Sequence, residues 1–181
     1  MPDLTRVVVV GTSASGKTTF ARDLAATVRA PHVELDALHW GPNWTVRTDF
    51  LERTRAAAAQ PAWVVDGNYV LVRDILWARA TVIVWLNYSF ALTFSRAVRR
   101  TARRITTGER LWWGNRETLR NAVFSRDAIP WWVIRTHRKR RREMPVLMQQ
   151  REYAHIEFIV LSTPQQAAAF LALLRSTCPR S

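Results

Sequence analysis

Residues 7–19 read VVVVGTSASGKTT, and this stretch decides the fold. The four valines form an apolar β-branched run, which is typical of a strand buried on both faces. Residues 11–18 match the pattern G-x-x-x-x-G-K-[ST] in full. After the loop, apolar residues recur with helical spacing on one stripe, at Phe20, Ala21, Leu24, Ala25 and Val28. The stretch therefore predicts a strand, a phosphate-binding loop and a helix, in that order.

The residue types of this loop indicate what it binds. Glycines let the backbone wrap closely, so that successive N–H groups point at phosphate oxygens, and the positive end of the following helix adds to their field. We expect the Lys17 ammonium to bridge the β- and γ-phosphates of a nucleoside triphosphate and the Thr18 hydroxyl to ligate Mg²⁺. The chain has 25 arginines and only two lysines, yet one lysine lies here. The predicted phosphate-binding residues are Gly11, Thr12, Ser13, Ala14, Ser15, Gly16, Lys17, Thr18 and Thr19.

The rest of the chain alternates between predicted strands and predicted helices. Further strands are predicted at residues 32–35, 62–65, 81–86 and 156–161. Helices are predicted at residues 50–59, 70–77 and 89–105, and a last helix is predicted to begin with Thr163 as its N-cap and Pro164 in its first turn. Strands that alternate with helices predict an α/β fold with a parallel sheet that is covered on both faces.

This alternation breaks once, from residue 106 to about residue 153. No strand is predicted there, and the segment contains tryptophans, arginines and short predicted helices. An insertion of that length just before the last strand is typical of a lid or a binding subdomain. We therefore predict one domain over residues 1–181, with a lid-type insertion at about 106–153.

The charge of the chain is concentrated in one segment. The formal net charge is +13, and residues 96–142 contain 15 Lys and Arg against 3 Asp and Glu, which is a net of +12. Such a segment predicts a polyanionic partner, and nucleotide phosphates, nucleic acid and an anionic membrane surface all fit that description. No apolar stretch approaches the roughly 20 residues that span a bilayer, and the N-terminus lacks the apolar core of a signal peptide. We therefore expect a cytoplasmic protein without a membrane partner.

Two carboxylates are predicted at the ends of strands. Asp66 follows Trp63-Val64-Val65, where it can lie beside the phosphate loop and hold Mg²⁺ through water; its alternative role is to form the Asp-Gly-Asn turn. Asp36 is expected to end the second strand, where its carboxylate could accept the proton of an acceptor hydroxyl as a general base. The alternative for Asp36 is an N-cap of the next element.

These motifs together resemble those of the adenylate kinase-related P-loop kinases, in particular the group labelled DNA-topology-modulation or adenylate kinase-like proteins. The resemblance covers residues 5–142, and the matching stretches are residues 11–19, 35–40 with 42–44, 63–69, 73–74, 77–80 and 111–117. It implies a three-layer P-loop NTPase fold of nucleoside-monophosphate-kinase type, in which a mobile, helical, arginine-rich lid lies between the fourth and fifth strands of a five-stranded parallel sheet. It also implies ATP rather than GTP as the nucleotide.

The chain departs from the adenylate kinases directly after Asp66. The pair Asp66-Gly67 is similar to the start of their Asp-Gly-Phe-Pro-Arg element, but Asn68-Tyr69 replaces Phe-Pro and no arginine follows directly. This departure removes a typical contact to a nucleoside monophosphate, which argues against AMP as the acceptor.

Arginines at the start of the insertion share one helix face. Arg96, Arg99, Arg100, Arg103 and Arg104 have the spacing i, i+3, i+4, i+7 and i+8. Like charges at this spacing repel by a few tenths of a kcal/mol per pair, and a bound anion would reverse the sign. The resemblance implies that such arginines clamp the transferring phosphoryl group, with Arg96 and Arg100 as first candidates and Arg104 and Arg116 as further nucleotide contacts. The alternative is a solvated basic face.

Aromatic residues and a second basic run leave further alternatives open. Residues 138–142, RKRRR, follow Trp131-Trp132 and could bind nucleic acid by stacking and phosphate pairing, or form a solvated helix end. Trp40 and Trp44 could form an aromatic wall for an acceptor or pack in the core. The four histidines show no metal-ligand spacing and receive no predicted role.

Two hypotheses for the function follow. The first is an ATP- and Mg²⁺-dependent phosphotransferase that moves the γ-phosphoryl group to a small-molecule or nucleotide acceptor. The second is a nucleotide-dependent nucleic-acid-binding protein or ATPase, with the arginine-rich segment as its binding surface. The sequence identifies neither the acceptor nor the oligomeric state.

The phosphate loop yields a direct prediction. Replacing Lys17 by alanine removes the cation that contacts the β- and γ-phosphates, so calorimetry is expected to show strongly weakened binding of ATP and GTP. Unchanged binding of both nucleotides would contradict the assignment of the loop.

Overall fold

The computed structural model describes residues 2–109, 111–115 and 129–177, and for residues 129–133 it describes the backbone alone. The strands are β1 (Arg6–Gly11), β2 (His32–Glu34), β3 (Trp63–Asp66), β4 (Val82–Leu86) and β5 (Glu157–Leu161). The helices are α1 (Lys17–Val28), α2 (Leu35–His39), α3 (Phe50–Ala59), α4 (Arg73–Trp77), α5 (Phe90–Thr107), α6 (Ile129–Leu147) and α7 (Pro164–Thr177). No helix in this part of the chain is long and apolar enough to cross a membrane.

The five strands form one sheet in the order β2-β3-β1-β4-β5, and every neighbouring pair is parallel. After β1 the chain moves to β2 on one side, and after β3 it crosses to β4 on the other side. The direction of winding therefore reverses between β1 and β3, and such a switch point opens a crevice at the carboxyl ends of the strands. The phosphate loop follows β1, so the fold places it at this crevice.

The apolar run of β1 divides its side chains between the two faces of the sheet. Val7 and Val9 pack with α1 and α7 on one face, whereas Val8 and Val10 pack on the other face with residues of α3, α4 and α6. All four are almost completely buried. This arrangement confirms the predicted sheet with helices on both faces, because a central parallel strand has no solvent-exposed side.

Helix boundaries follow the predicted capping chemistry. α7 begins at Pro164, and the Thr163 hydroxyl accepts a hydrogen bond from the backbone N–H of Gln166 at 3.2 Å. α5 begins after Ser89, whose hydroxyl accepts from the N–H of Leu92 at 3.4 Å. α5 lies within two residues of both predicted ends and α7 starts where predicted; side-chain caps satisfy N–H groups that the helix itself cannot.

The prediction that Asp36 ends the second strand is wrong. β2 ends at Glu34, and Asp36 lies in the first turn of α2. The cause is the spacing of the next apolar residues: Leu35 and Leu38 both pack into the core, and a separation of three residues brings them to the same side only in a helix. Leu35 also packs against Gly67, where an added Cβ would lie 2.7 Å from the Leu35 Cβ.

The predicted insertion is not made only of short helices. α6 is one helix of 19 residues, rich in arginine, which is a good helix former. Its inner face enters the core through Met144, which is 2 % exposed, and Leu147, and the following Tyr153 is also buried. The second half of the insertion thus belongs structurally to the sheet domain, while residues 116–128 lie outside the described part of the chain.

Candidate active site

The phosphate loop is an open turn of backbone between β1 and α1. The N–H of Ser15 donates to the carbonyl of Thr12 at 3.1 Å, and Ala14 and Gly16 adopt left-handed conformations with φ of 63° and 94°. Successive residues with such alternating backbone conformations turn their N–H groups toward a common centre. The first turn of α1 contains no acidic residue. Its positive end therefore faces the loop without an acidic residue of its own.

Asn68 fixes the loop to the end of β3. Its side-chain amide donates to the carbonyl of Gly11 at 2.6 Å and accepts from the Gly11 N–H at 3.1 Å. On the other side of Gly11, an added Cβ would lie 2.8 Å from the carbonyl oxygen of Leu86. Gly11 is therefore held between β3 and β4, which sets the position where the loop begins.

Lys17 is held inside the loop with few partners. Its Nζ donates to the carbonyl of Thr12 at 3.3 Å. Burial lowers the pKa of Lys17 to about 8, against the opposing charges of Asp66 and Asp36. The Ser15 hydroxyl nearby is buried without a hydrogen-bond partner. A half-buried ammonium and a buried hydroxyl that lack strong acceptors fit a phosphate group, whose oxygens would satisfy both.

Thr18 and Asp66 lie in direct contact. The Thr18 hydroxyl donates to Asp66 Oδ2 at 2.7 Å, and Asp66 is 5 % exposed. The strand register makes this contact possible, since Asp66 pairs with Val9 two residues before the loop. A hydroxyl and a carboxylate together offer the oxygen ligands that Mg²⁺ prefers.

His32 is a residue of this site that the sequence did not reveal. Its Nε2 lies 2.9 Å from Asp66 Oδ1, so the two oxygens of the carboxylate have different partners, His32 and Thr18. His32 is on β2, which pairs with β3 in the sheet. A lone histidine in a short strand carries no signal for such a contact, because it depends on which strands become neighbours.

Asp36 lies in the first turn of α2 and is held by Tyr69. The Tyr69 hydroxyl donates to Asp36 Oδ1 at 2.6 Å, and burial together with the Asp36 charge raises the pKa of Tyr69 well above its usual value. The Asp36 charge also raises the pKa of Lys17 against the effect of burial. The carboxylate is therefore near the phosphate loop although it stands on α2 rather than on a strand.

Two of the four predicted arginines, Arg96 and Arg100, lie near the phosphate loop. Arg96 donates from one guanidinium nitrogen to the carbonyl of Ser15 at 3.1 Å. The charge of Arg100 lies close enough to lower the pKa of Lys17 further. Arg104 lies farther along α5 with its Nε 3.8 Å from Glu109 Oε1. Arg116 lies outside the described residues.

Arg140 of α6 also lies near this site. Its position within the basic residues 138–142 did not indicate this. Its positive charge lowers the pKa of Lys17, and burial lowers the pKa of Arg140 itself. The neighbouring basic residues Arg138, Arg141 and Arg142 are exposed. Helical spacing could have identified it, because Arg140 precedes the core residue Met144 by four positions and so shares its face.

The start of the insertion docks on the segment that follows α2. The Asn115 side chain donates to the carbonyl of Gly41 at 2.9 Å and accepts from the N–H of Trp44 at 3.3 Å. The indole N–H of Trp112 donates to Glu34 Oε2 at 3.1 Å. Trp40 and Trp44 are half-buried and pack edge to face, with ring centroids 5.7 Å apart.

The backbone is similar to those of several solved kinases. A gluconokinase from Sinorhizobium meliloti 1021 has 20% identity, a TM-score of 0.53 and coverage of 98% of this chain and 97% of that chain. A shikimate kinase from Bacteroides thetaiotaomicron has 14% identity, a TM-score of 0.56 and coverage of 96% and 97%. A shikimate kinase from Acinetobacter baumannii in complex with shikimate has 19% identity, a TM-score of 0.52 and coverage of 99% and 97%.

At these identities the likeness concerns the fold. It confirms the predicted three-layer α/β architecture of P-loop kinases, with five parallel strands. No protein-family model and no curated protein matches the sequence.

The His32–Asp66 contact yields a prediction. If Asp66 holds Mg²⁺, His32→Ala removes a partner that orients this carboxylate, and a loss of roughly 10-fold in Mg²⁺ affinity is expected in the nucleotide-bound protein. Calorimetric titration of Mg²⁺ measures it, and nucleotide binding in EDTA should stay unchanged.

His155→Ala is the matched control, because His155 contacts the carbonyl of Trp77 at 3.1 Å, away from Asp66. Equal Mg²⁺ affinity in the wild type and both variants would contradict a role of His32 in orienting the carboxylate.

Proposed function

We propose that the protein is an ATP-dependent kinase that transfers the γ-phosphoryl group to a hydroxyl of a small-molecule acceptor, with Mg²⁺ as cofactor. One observation carries the proposal: the half-buried Lys17 of the phosphate loop and the exposed carboxylate of Asp36 lie close enough for their charges to interact. A site that only bound or hydrolysed a nucleotide has no need of a second carboxylate at this position.

The donor side of the proposal rests on the loop. Backbone N–H groups and Lys17 would hold the β- and γ-phosphates, and the unpartnered Ser15 hydroxyl fits a phosphate oxygen. The oxygens of Thr18 and Asp66 fit Mg²⁺, which would neutralise part of the phosphate charge. Arg96 and Arg100 approach from α5, where their positive charges would stabilise the charge that develops on the transferring group.

The chemical step places Asp36 as the general base. The acceptor hydroxyl oxygen forms a bond to the γ-phosphorus, the bond between that phosphorus and the bridging oxygen of ADP breaks, and the acceptor proton passes to Asp36. Tyr69 donates to one oxygen of this carboxylate at 2.6 Å and so would orient the group for that transfer.

Two further observations support a small-molecule acceptor other than AMP. The similar solved structures carry the names gluconokinase and shikimate kinase, which favours a small molecule over a macromolecule. The replacement of Phe-Pro by Asn68-Tyr69 argues against AMP, and Asn68 instead binds Gly11.

In this proposal the insertion at about 106–153 supplies a lid over the reacting groups, with Arg116 as a further contact. Membership of the DNA-topology-modulation group stays a prediction.

The nucleic-acid hypothesis has weaker support. It takes the arginine-rich segment as its binding surface, but Arg140 within residues 138–142 turns inward toward the site. Arg138, Arg141 and Arg142 remain exposed and keep the hypothesis testable. Affinity for DNA or RNA that falls steeply with salt would support it.

The kinase proposal is tested with γ-labelled ATP, Mg²⁺ and a panel of small alcohols, sugar acids, nucleosides and nucleotides. Label transfer that depends on one acceptor class is expected. In Asp36→Asn we expect kcat to fall roughly 100-fold or more, with ATP affinity retained, since only proton transfer is lost.

Asp3→Asn is the control, because Asp3 is an exposed carboxylate before β1, and its activity should equal that of the wild type. ATP hydrolysis stimulated only by DNA or RNA, with no acceptor labelled, would contradict the proposal.

A further inference from the structure

The segment between β4 and α5 contains a buried tyrosine that the proposed chemistry leaves unused. Tyr88 comes two residues after the end of β4 and is 4 % exposed. It packs in the core on the face of the sheet that carries α1 and α7, together with Leu86 and Leu161. Neither the proposed transfer step nor the proposed Mg²⁺ site involves this residue.

The ring of Tyr88 contacts the guanidinium group of Arg96. The guanidinium carbon lies 5.6 Å from the centroid of the ring, which is within the range of a cation–π contact. The same group donates one N–H to the carbonyl of Ser15 at 3.1 Å. A Cβ added at Gly16 would lie 3.7 Å from the donating nitrogen. The guanidinium group therefore contacts an aromatic ring and the backbone of the phosphate loop at the same time.

No carboxylate competes with the ring for Arg96 in the part of the chain that the structure describes. Arg103 and Arg104, farther along the same helix, both lie within salt-bridge distance of Glu109, whereas no salt bridge joins Arg96 to a described acid. A guanidinium group has five N–H donors in one plane, and stacking on a ring leaves the edge of that plane accessible. Since Ser15 accepts from one of these donors, the others can serve a bound nucleotide.

The backbone on which the Tyr88 ring stands is fixed on both sides. The N–H of Asn87 donates to the carbonyl of Leu161 on β5 at 2.9 Å. Nε2 of the buried His137 of α6 lies 3.1 Å from the Tyr88 carbonyl and donates to it, because a carbonyl can only accept. A ring on a fixed backbone is a rigid support for the long, flexible side chain of Arg96. Such a support lowers the conformational freedom that Arg96 loses when a ligand binds.

We propose that Tyr88 is a positioning residue of the donor site, whose ring holds the guanidinium group of Arg96 beside the phosphate loop for contact with a bound nucleotide. The proposal rests on the donor site proposed above and adds the residue through which Arg96 is placed there. Because Tyr88 acts through Arg96, its effect on nucleotide binding should vanish when Arg96 is absent. A general contribution of Tyr88 to the core would not depend on Arg96.

A double-mutant cycle in nucleotide binding tests this dependence. Calorimetry measures the Kd of the Mg²⁺ complex of a non-hydrolysable ATP analogue for the wild type, Tyr88→Leu, Arg96→Gln and the double variant. We expect Arg96→Gln to weaken binding roughly 10-fold and Tyr88→Leu to weaken it roughly 3- to 10-fold. In the Arg96→Gln background, Tyr88→Leu should cause no further loss, since no guanidinium group remains to be positioned.

Two further variants separate positioning from stability. Tyr88→Phe keeps the aromatic ring and should retain the affinity within about 2-fold. Phe170→Leu removes a ring that stacks on Phe20 and packs against the same core cluster, so it should lower the melting temperature and leave the Kd unchanged. If Tyr88→Leu does not fold, Tyr88→Met replaces it in the cycle, because an unbranched side chain fills irregular core space.

Three results would overturn the proposal. They are an equal loss from Tyr88→Leu with and without Arg96, an equal loss from Tyr88→Phe and Tyr88→Leu, and an affinity that Arg96→Gln leaves unchanged. Binding of the analogue by the wild type separates this proposal from the kinase function. If the wild type binds and the cycle shows no coupling, only the role of Tyr88 fails; if the wild type does not bind, the proposed function fails.

Discussion

The pairing of β1 with β3 is the constraint on which the rest of the site depends. Because the two strands are parallel and Val9 lies opposite Asp66, the phosphate loop and the turn after β3 leave the sheet at the same edge. Asn68 then joins them with two hydrogen bonds to Gly11, and Thr18 contacts Asp66. A change of register by one residue would turn Asp66 to the other face of the sheet and break the contact with Thr18.

Excess positive charge is the second feature of the site. Lys17 has a pKa of about 8, mainly through burial, and the charges of Arg100 and Arg140 lower it further. Such an arrangement is unfavourable in the free protein and becomes favourable when phosphate oxygens are bound. The arginines of α5 and α6 thus lower the stability of the free protein while preparing a site for a polyanionic ligand. Part of the charge of residues 96–142 is thus placed at this site, whereas Arg138, Arg141 and Arg142 are exposed.

The parts of the fold that the sequence predicted are those set by local chemistry. The valine run, the phosphate loop and the Thr163-Pro164 helix start follow from neighbouring residues alone, and each lies where it was predicted. Asp36 was misplaced because the pattern after His32 fits a strand until the burial of Leu35 and Leu38 decides for a helix. His32 and Arg140 could not be assigned from composition, since their roles depend on which strand and which helix lie beside them. The phosphate loop itself is one continuous stretch, whereas its contacts with Asp66, Asn68 and Arg96 are long-range.

We propose that the loop of residues 11–18 and the Thr18–Asp66 pair together form the donor site of a kinase. A crystal structure with a non-hydrolysable ATP analogue and Mg²⁺ tests it most directly. We predict that Lys17 Nζ leaves the Thr12 carbonyl for a phosphate oxygen and that the oxygen of the Thr18 hydroxyl ligates Mg²⁺. A nucleotide bound elsewhere, or a bound Mg²⁺ ion that the Thr18 hydroxyl does not ligate, would contradict it.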